Sequence, residues 1–201
     1  MGQEPLPLHQ PKRSDAIANR QRLIVAARDT FAALGPAAEV KDIAERAGVG
    51  VGTIYRHFSN KEDLLRAVID DATMDLDAAL EQLRDIENPI EALHRYLDAL
   101  LTALDRDGWL FEPGFSGMLR ETIIERGSHT AAEEVLRALL ARGVENGVLR
   151  SDLNVPLCAS LILGTTVVWR FGPYRNEVSR EQMVEEVLRL FLEGALPRSA
   201  S

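Results

Sequence analysis

Within nine residues the sequence gathers a hydroxyl, a guanidinium, an imidazole and an ammonium group at Thr53, Arg56, His57 and Lys61. Glycines at 48, 50 and 52 lie just upstream, in AGVGVGTIYRHF. Such donors suit phosphate oxygens and base edges. Spacing separates the two ways of presenting them. A dinucleotide-binding loop needs glycine at the first, third and sixth positions after a strand; counted from Gly48 the sixth residue is Thr53, and the preceding segment has a helical period. A nucleoside triphosphate loop needs Gly-Lys followed by Ser or Thr, which occurs nowhere in the chain. The glycines therefore read as a turn: Gly48 ends a helix, Gly50 loosens the turn, Val49 plugs it, and Gly52 lets another backbone approach.

Other chemistry is poorly served. His9, His57, His94 and His129 share no metal-ligand spacing with one another or with Cys158. GFSGM at 114–118 departs from the Gly-x-Ser-x-Gly nucleophile turn at Met118 and follows no strand. Cys158, the single cysteine, excludes an internal disulfide and reads as a small buried thiol. The expectation is a protein that is not an enzyme and uses no cofactor and no metal.

The elements that position the donor cluster are helical. DAIANRQRLIVAARDTFAALG places Ile17, Leu23, Ile24, Ala27, Phe31 and Leu34 at three- and four-residue spacing and stops at Gly35-Pro36. EVKDIAERAG repeats the pattern with Val40, Ile43, Ala44 and Ala47, and Gly48 supplies a left-handed stop. In VGTIYRHF, at about 100° per residue, Val51, Ile54, Tyr55 and Phe58 share one arc, with Gly52, Thr53, Arg56 and His57 opposite. Two short helices joined through glycine, the second presenting polar groups, form a helix-turn-helix whose second helix can enter a major groove.

Downstream, Ser59 with Glu62 predicts a capping box opening a long helix that links two domains, and Asn88, Pro89 and Glu91 open a fifth helix. A short or broken helix is expected around 109–124, and Thr130 with Glu133, Asn154 with Pro156 and Ser179 with Gln182 open three more. No sustained period-two alternation appears, so the class is all-α. Charge divides unevenly: residues 1–70 carry ten Lys or Arg against nine Asp or Glu, and residues 71–201 carry thirteen against twenty-two. An anionic partner is thus expected at the first third. No run of about 20 apolar residues occurs and the first dozen lack a signal peptide's apolar centre, which predicts a cytoplasmic protein with no membrane partner.

VKDIAERAGVGVGTIYRHFSNKEDLL closely resembles the DNA-binding signature of the tetracycline-repressor (TetR) family of bacterial regulators, and LIVAARDTFAALG is similar to that family's first helix. The resemblance spans roughly residues 15–70. It implies an all-α fold with a flexible arm (1–14), a three-helix helix-turn-helix domain (15–62), and a ligand-binding and dimerisation domain (63–197) reached through the long fourth helix. It implies that Thr53, Tyr55 and His57 face double-stranded DNA, the Tyr55 hydroxyl and Lys61 meeting phosphates. Lys41, Gly50, Val51, Gly52 and Arg56 complete the candidate surface. The chain departs from the family pattern at Ala38-Glu39, where a Ser or Thr is common, and at Gly50-Val51, where a polar pair is; Lys41 is expected to replace a lost contact and Glu39 to stabilise the positive end of the second helix. In the arm and first helix, Lys12, Arg13, Arg20 and Arg22 are candidates for the DNA backbone or minor groove.

A single helix-turn-helix makes few contacts, so two copies reading a palindrome is the expected arrangement. The last two helices, with Leu161, Thr165 and Val168 on one and Val184, Leu188 and Phe191 on the other, are expected to pair across a two-fold axis as a four-helix bundle. The resemblance further implies a small-molecule effector in a cavity among helices 4, 5, 7 and 8, with Tyr96, Trp109, Phe111, Phe115, Met118 and Trp169 as candidate lining and His94 beside Asp98 as a candidate polar contact. The rival expectation is a helical module that reads protein, or an activator built on the same fold.

Overall fold

The computed structural model describes residues 13–125, 131–172 and 177–195. Among them every regular element is helical. The chain divides between Val68 and Ile69 into two compact units.

The first unit holds α1 (Arg13–Leu34), a 3-10 turn (Gly35–Ala37), α2 (Val40–Ala47), α3 (Val51–Tyr55) and the opening turns of α4 (Lys61–Glu81). On α1 the expected stripe narrows. Leu23, Ile24, Ala27 and Phe31 are buried, whereas Ile17 and Leu34, at its ends, are exposed. Thr30, also buried, keeps its hydroxyl satisfied by donating to the Ala26 carbonyl at 2.7 Å. Ile43 and Ala44 of α2, Ile54 of α3, Phe58, and Leu64, Leu65 and Val68 of α4 complete the unit's buried apolar set. The Arg20 guanidinium lies over the Phe58 ring at 5.0 Å, so part of its stem shields that core from water.

The α4 cap is displaced by one residue from the expected Ser59–Glu62 box. Asn60 Oδ1 accepts from the Asp63 amide at 2.7 Å, and the Asp63 carboxylate accepts from the Ser59 amide at 2.9 Å. The helix begins at Lys61, so the third helical position, from which a side chain reaches back, belongs to Asp63.

The second unit contains the rest of α4, α5 (Pro89–Asp107), a 3-10 turn (Gly108–Phe111), α6 (Ser116–Glu125), α7 (Ala131–Glu145), α8 (Val155–Phe171) and α9 (Arg180–Ala195). The broken segment expected at 109–124 is thus a 3-10 turn followed by a ten-residue helix. Central to the unit is α5, which buries Ala92, Leu93, Tyr96, Leu97, Leu100, Leu101 and Leu104 and packs on α7, α8 and α9. Asn88 caps it through the amides of Ile90 and Glu91, but the Glu91 carboxylate turns to Arg95 at 2.8 Å instead of completing the box. Arg142 of α7 donates to the carbonyls of Arg84 and Ile86, the latter at 2.6 Å, and so pins the α4–α5 connection. Asn154 caps α8 through the Leu157 amide, and Ser179 and Gln182 form a reciprocal box at the start of α9. Thr130 lies outside the described residues; its expected partner Glu133 pairs with Arg137 at 2.6 Å. No described helix is long and apolar enough to cross a membrane.

Candidate nucleic-acid interface

Gly48 closes α2 with φ +68°, a conformation that costs a side-chain-bearing residue, and its amide donates to the carbonyls of Ala44 and Glu45. Three residues later α3 begins at Val51. Five residues make less than two turns, far too short for intrinsic stability, so burial must hold α3 in place. Ile54 and Phe58 provide it, and the amides of His57 and Phe58 both donate to the Ile54 carbonyl, carrying the helical path on past Tyr55.

The face presented differs from the expected one by roughly a quarter of a turn. Val51, Gly52, Tyr55 and Arg56 are exposed, Thr53 and His57 are half-buried, and Ile54 and Phe58 are inside. An amphipathic reading of VGTIYRHF places the apolar Val51 and Tyr55 inward, yet so short a helix buries only the side that meets its neighbours. The phenol of Tyr55, 53% exposed, stands in the outward stripe, beside a guanidinium at Arg56 that forms no ion pair with the described residues. A Cβ built on Gly50 or Gly52 would meet nothing within 4 Å, and neither glycine has positive φ. Nothing in the fold requires glycine there, whereas a partner backbone lying against the helix would.

The basic residues divide. Lys61 Nζ donates to the Pro36 carbonyl at 2.8 Å and sits 5.9 Å from the Phe31 ring centroid, which ties the start of α4 to the α1–α2 connection. Replacing Lys61 with methionine is expected to cost about 1 kcal/mol in chemical denaturation. A lysine standing on phosphate would instead be stability-neutral to remove and would take about one unit off the salt dependence of DNA binding. Lys41 is exposed and paired with Glu39 at 2.8 Å, and the hydrogen bond to that carboxylate, then its charge, raises the lysine's pKa. Of the expected minor-groove residues, Lys12 lies outside the described residues, as does the side chain of Arg13; Arg20 covers Phe58, and Arg22 lines a 560 Å³ groove between α1 and α2.

In the second unit the candidate lining residues separate by burial. Tyr96, Trp109, Phe115 and Trp169 are buried, Met118 is half-buried, and Phe111 and His94 are exposed. Tyr96 donates to the Ala132 carbonyl at 3.0 Å, sewing α5 to α7, and burial pushes its phenol well above the ordinary tyrosine range. Trp109 and Phe115 meet edge to face at 4.8 Å. The expected His94–Asp98 pair gives way to Asp98 with Arg180, at 3.0 Å.

On α9 the residues expected at the dimer surface pack inward. Val184 and Leu188 belong to the second unit's own core, and half-buried Phe191 packs against it, so these side chains have little surface to offer a partner. On α8, Leu161 and Val168 are 61% and 70% exposed and Thr165 is exposed between them. Sequence reasoning missed Leu157, four residues before Leu161 on the same face, and Leu190 on α9, both exposed. Period alone could not have found Leu157, because α8 is apolar nearly all round and shows no polar face to mark the outside.

Residues 23–68 match the model for bacterial regulatory proteins of the tetR family. Over 180 residues the chain is 31% identical to the HTH-type transcriptional repressor Rv3405c of Mycobacterium tuberculosis, covering 88% of this chain and 86% of that one. A TetR transcription regulatory protein from Mycobacterium vanbaalenii superposes with a TM-score of 0.64 at 30% identity, covering 92% of this chain and 99% of that one. The TetR family regulator PfmR of Thermus thermophilus does so with a TM-score of 0.69 at 28% identity, covering 88% and 100%.

Proposed function

The chain belongs to the tetR family of bacterial regulatory proteins, and from this we propose that it works in the cytoplasm as a homodimeric repressor, released from a palindromic operator by a small-molecule effector. It is a DNA-binding transcriptional regulator. The observation that carries the DNA-reading surface is the outward stripe of α3, where Val51, Gly52, Tyr55 and Arg56 combine close backbone approach with a hydroxyl and a guanidinium that no described carboxylate holds. Half-buried Thr53 and His57 border that stripe and take base-edge or sugar-phosphate contacts from its rim.

Two-fold pairing is supported by the exposed apolar row of Leu157, Leu161 and Val168 on α8, with Leu190 on α9, since such a row has no favourable place in water. The effector's seat is supported by buried Trp109 and Phe115, which meet edge to face at 4.8 Å and combine large apolar surfaces with an indole N–H. Binding there shifts the population between dimers whose heads fit the operator and dimers whose heads do not.

Fluorescence anisotropy of the purified protein on the DNA upstream of its own gene, against a scrambled duplex and over several salt concentrations, tests the reading. Preferential, salt-sensitive binding is expected, with Tyr55→Ala weaker by about tenfold, the loss of one hydrogen bond to a charged oxygen. Failure to bind even a pool of random duplexes would sink it.

A further inference from the structure

In a helix-turn-helix the first helix crosses the sugar-phosphate backbone, and a helix N-terminus normally receives phosphate well. The corresponding end of α2 is furnished differently. Glu39 occupies the cap position and is exposed, and the Asp42 carboxylate accepts from the Glu39 amide at 2.8 Å. Lys41, the cation nearest in sequence, is held by the Glu39 carboxylate at 2.8 Å. Two carboxylates and one ammonium therefore stand at this end of α2.

We propose that Glu39 is a specificity-determining residue: it neutralises Lys41 and places a carboxylate where α2 meets the DNA backbone, suppressing sequence-independent affinity so that binding depends on the outward stripe of α3. The inference rests on the DNA-binding reading above. An exposed ion pair is weak enough for Lys41 to swing toward a phosphate, but the carboxylate then stays beside that same phosphate and cancels the gain. Lys41 and Glu39 together carry no net charge and release no counterions, so the pair adds nothing to the salt dependence that dominates non-specific binding. The first unit's near-even charge points the same way, since it gives little net positive field for a general electrostatic grip.

The test is the affinity of full-length protein for a pool of random duplexes, measured across a salt series for Glu39→Gln and for Glu39→Thr, which keeps a capping oxygen. Both are expected to bind the pool about fivefold more tightly at low salt, to steepen the log–log salt slope by about one, and to lower the ratio of operator to random binding. Adding Lys41→Ala to either is expected to reverse the steepening. An unchanged slope in both single variants, or steepening that survives the loss of Lys41, would overturn the assignment. Absence of any duplex binding by the unsubstituted protein would instead overturn the DNA-binding reading, so the two failures are distinguishable.

Discussion

Leu161→Glu is expected to turn the protein into a monomer at micromolar concentration, seen by analytical ultracentrifugation, and to weaken operator binding by a hundredfold or more. In the isolated chain this side chain is 61% exposed, so a glutamate there finds water and costs the fold little. In a two-fold interface the same position recurs on both copies. Two carboxylates would then be buried against apolar Leu157 and Val168 with no cation to meet them, a penalty of several kcal/mol. The DNA effect follows because the second head of a dimer binds at high effective concentration once the first is seated, an advantage a monomer loses. Val184→Glu gives the contrasting result. That residue is 1% exposed within its own core, so the expected outcome is loss of the fold itself. A Leu161→Glu protein that stays dimeric with full DNA affinity would place the interface elsewhere.

The contrast between α8 and α9 shows what sequence periodicity carries. On α9 the stripe of Val184, Val187, Leu188 and Phe191 is plain to read, and the fold of the single chain uses it. On α8 almost every residue is apolar, so period cannot say which side is left over, and only packing against α5 and α7 decides. A surplus apolar face is legible as a quantity in the sequence before it is legible as a location. Caps behaved similarly: Asn88, Asn154 and Ser179 stood where expected, while the α4 cap moved from Ser59 to Asn60 because both residues can cap and the choice rests on where the helix begins.

The candidate interface was legible in its residue types and less so in its orientation. Gly48 had to end α2, since a left-handed stop is chemically marked. The direction in which α3 faces was not marked, because Tyr55 and Val51 count as apolar in any periodicity yet end in water. Lys61 illustrates the same limit in charge. Its type suggests a phosphate contact, but the Pro36 carbonyl, twenty-five residues upstream, lies within its reach only once α1 and α4 have packed.

Because α3 is held by so few groups, Ile54→Ala is expected to cost the first unit about 3 kcal/mol and to abolish specific DNA binding, while the second unit stays folded. Ile54 is 1% exposed, and removing three buried carbons in a site that only partly collapses costs about 2–5 kcal/mol. A helix of five residues has no propensity that could offset this loss; without its anchor the Tyr55 and Arg56 groups are no longer aimed. Thermal melts followed by circular dichroism are expected to show an early helical transition in the variant, separate from that of the second unit, which has its own core. Tyr55→Ala serves as the counterpart: an exposed residue whose loss weakens DNA binding and leaves the melting temperature within about 0.5 kcal/mol equivalent of the parent. Ile54→Ala protein that stayed folded and kept its operator affinity would show that α3 is not the reading element.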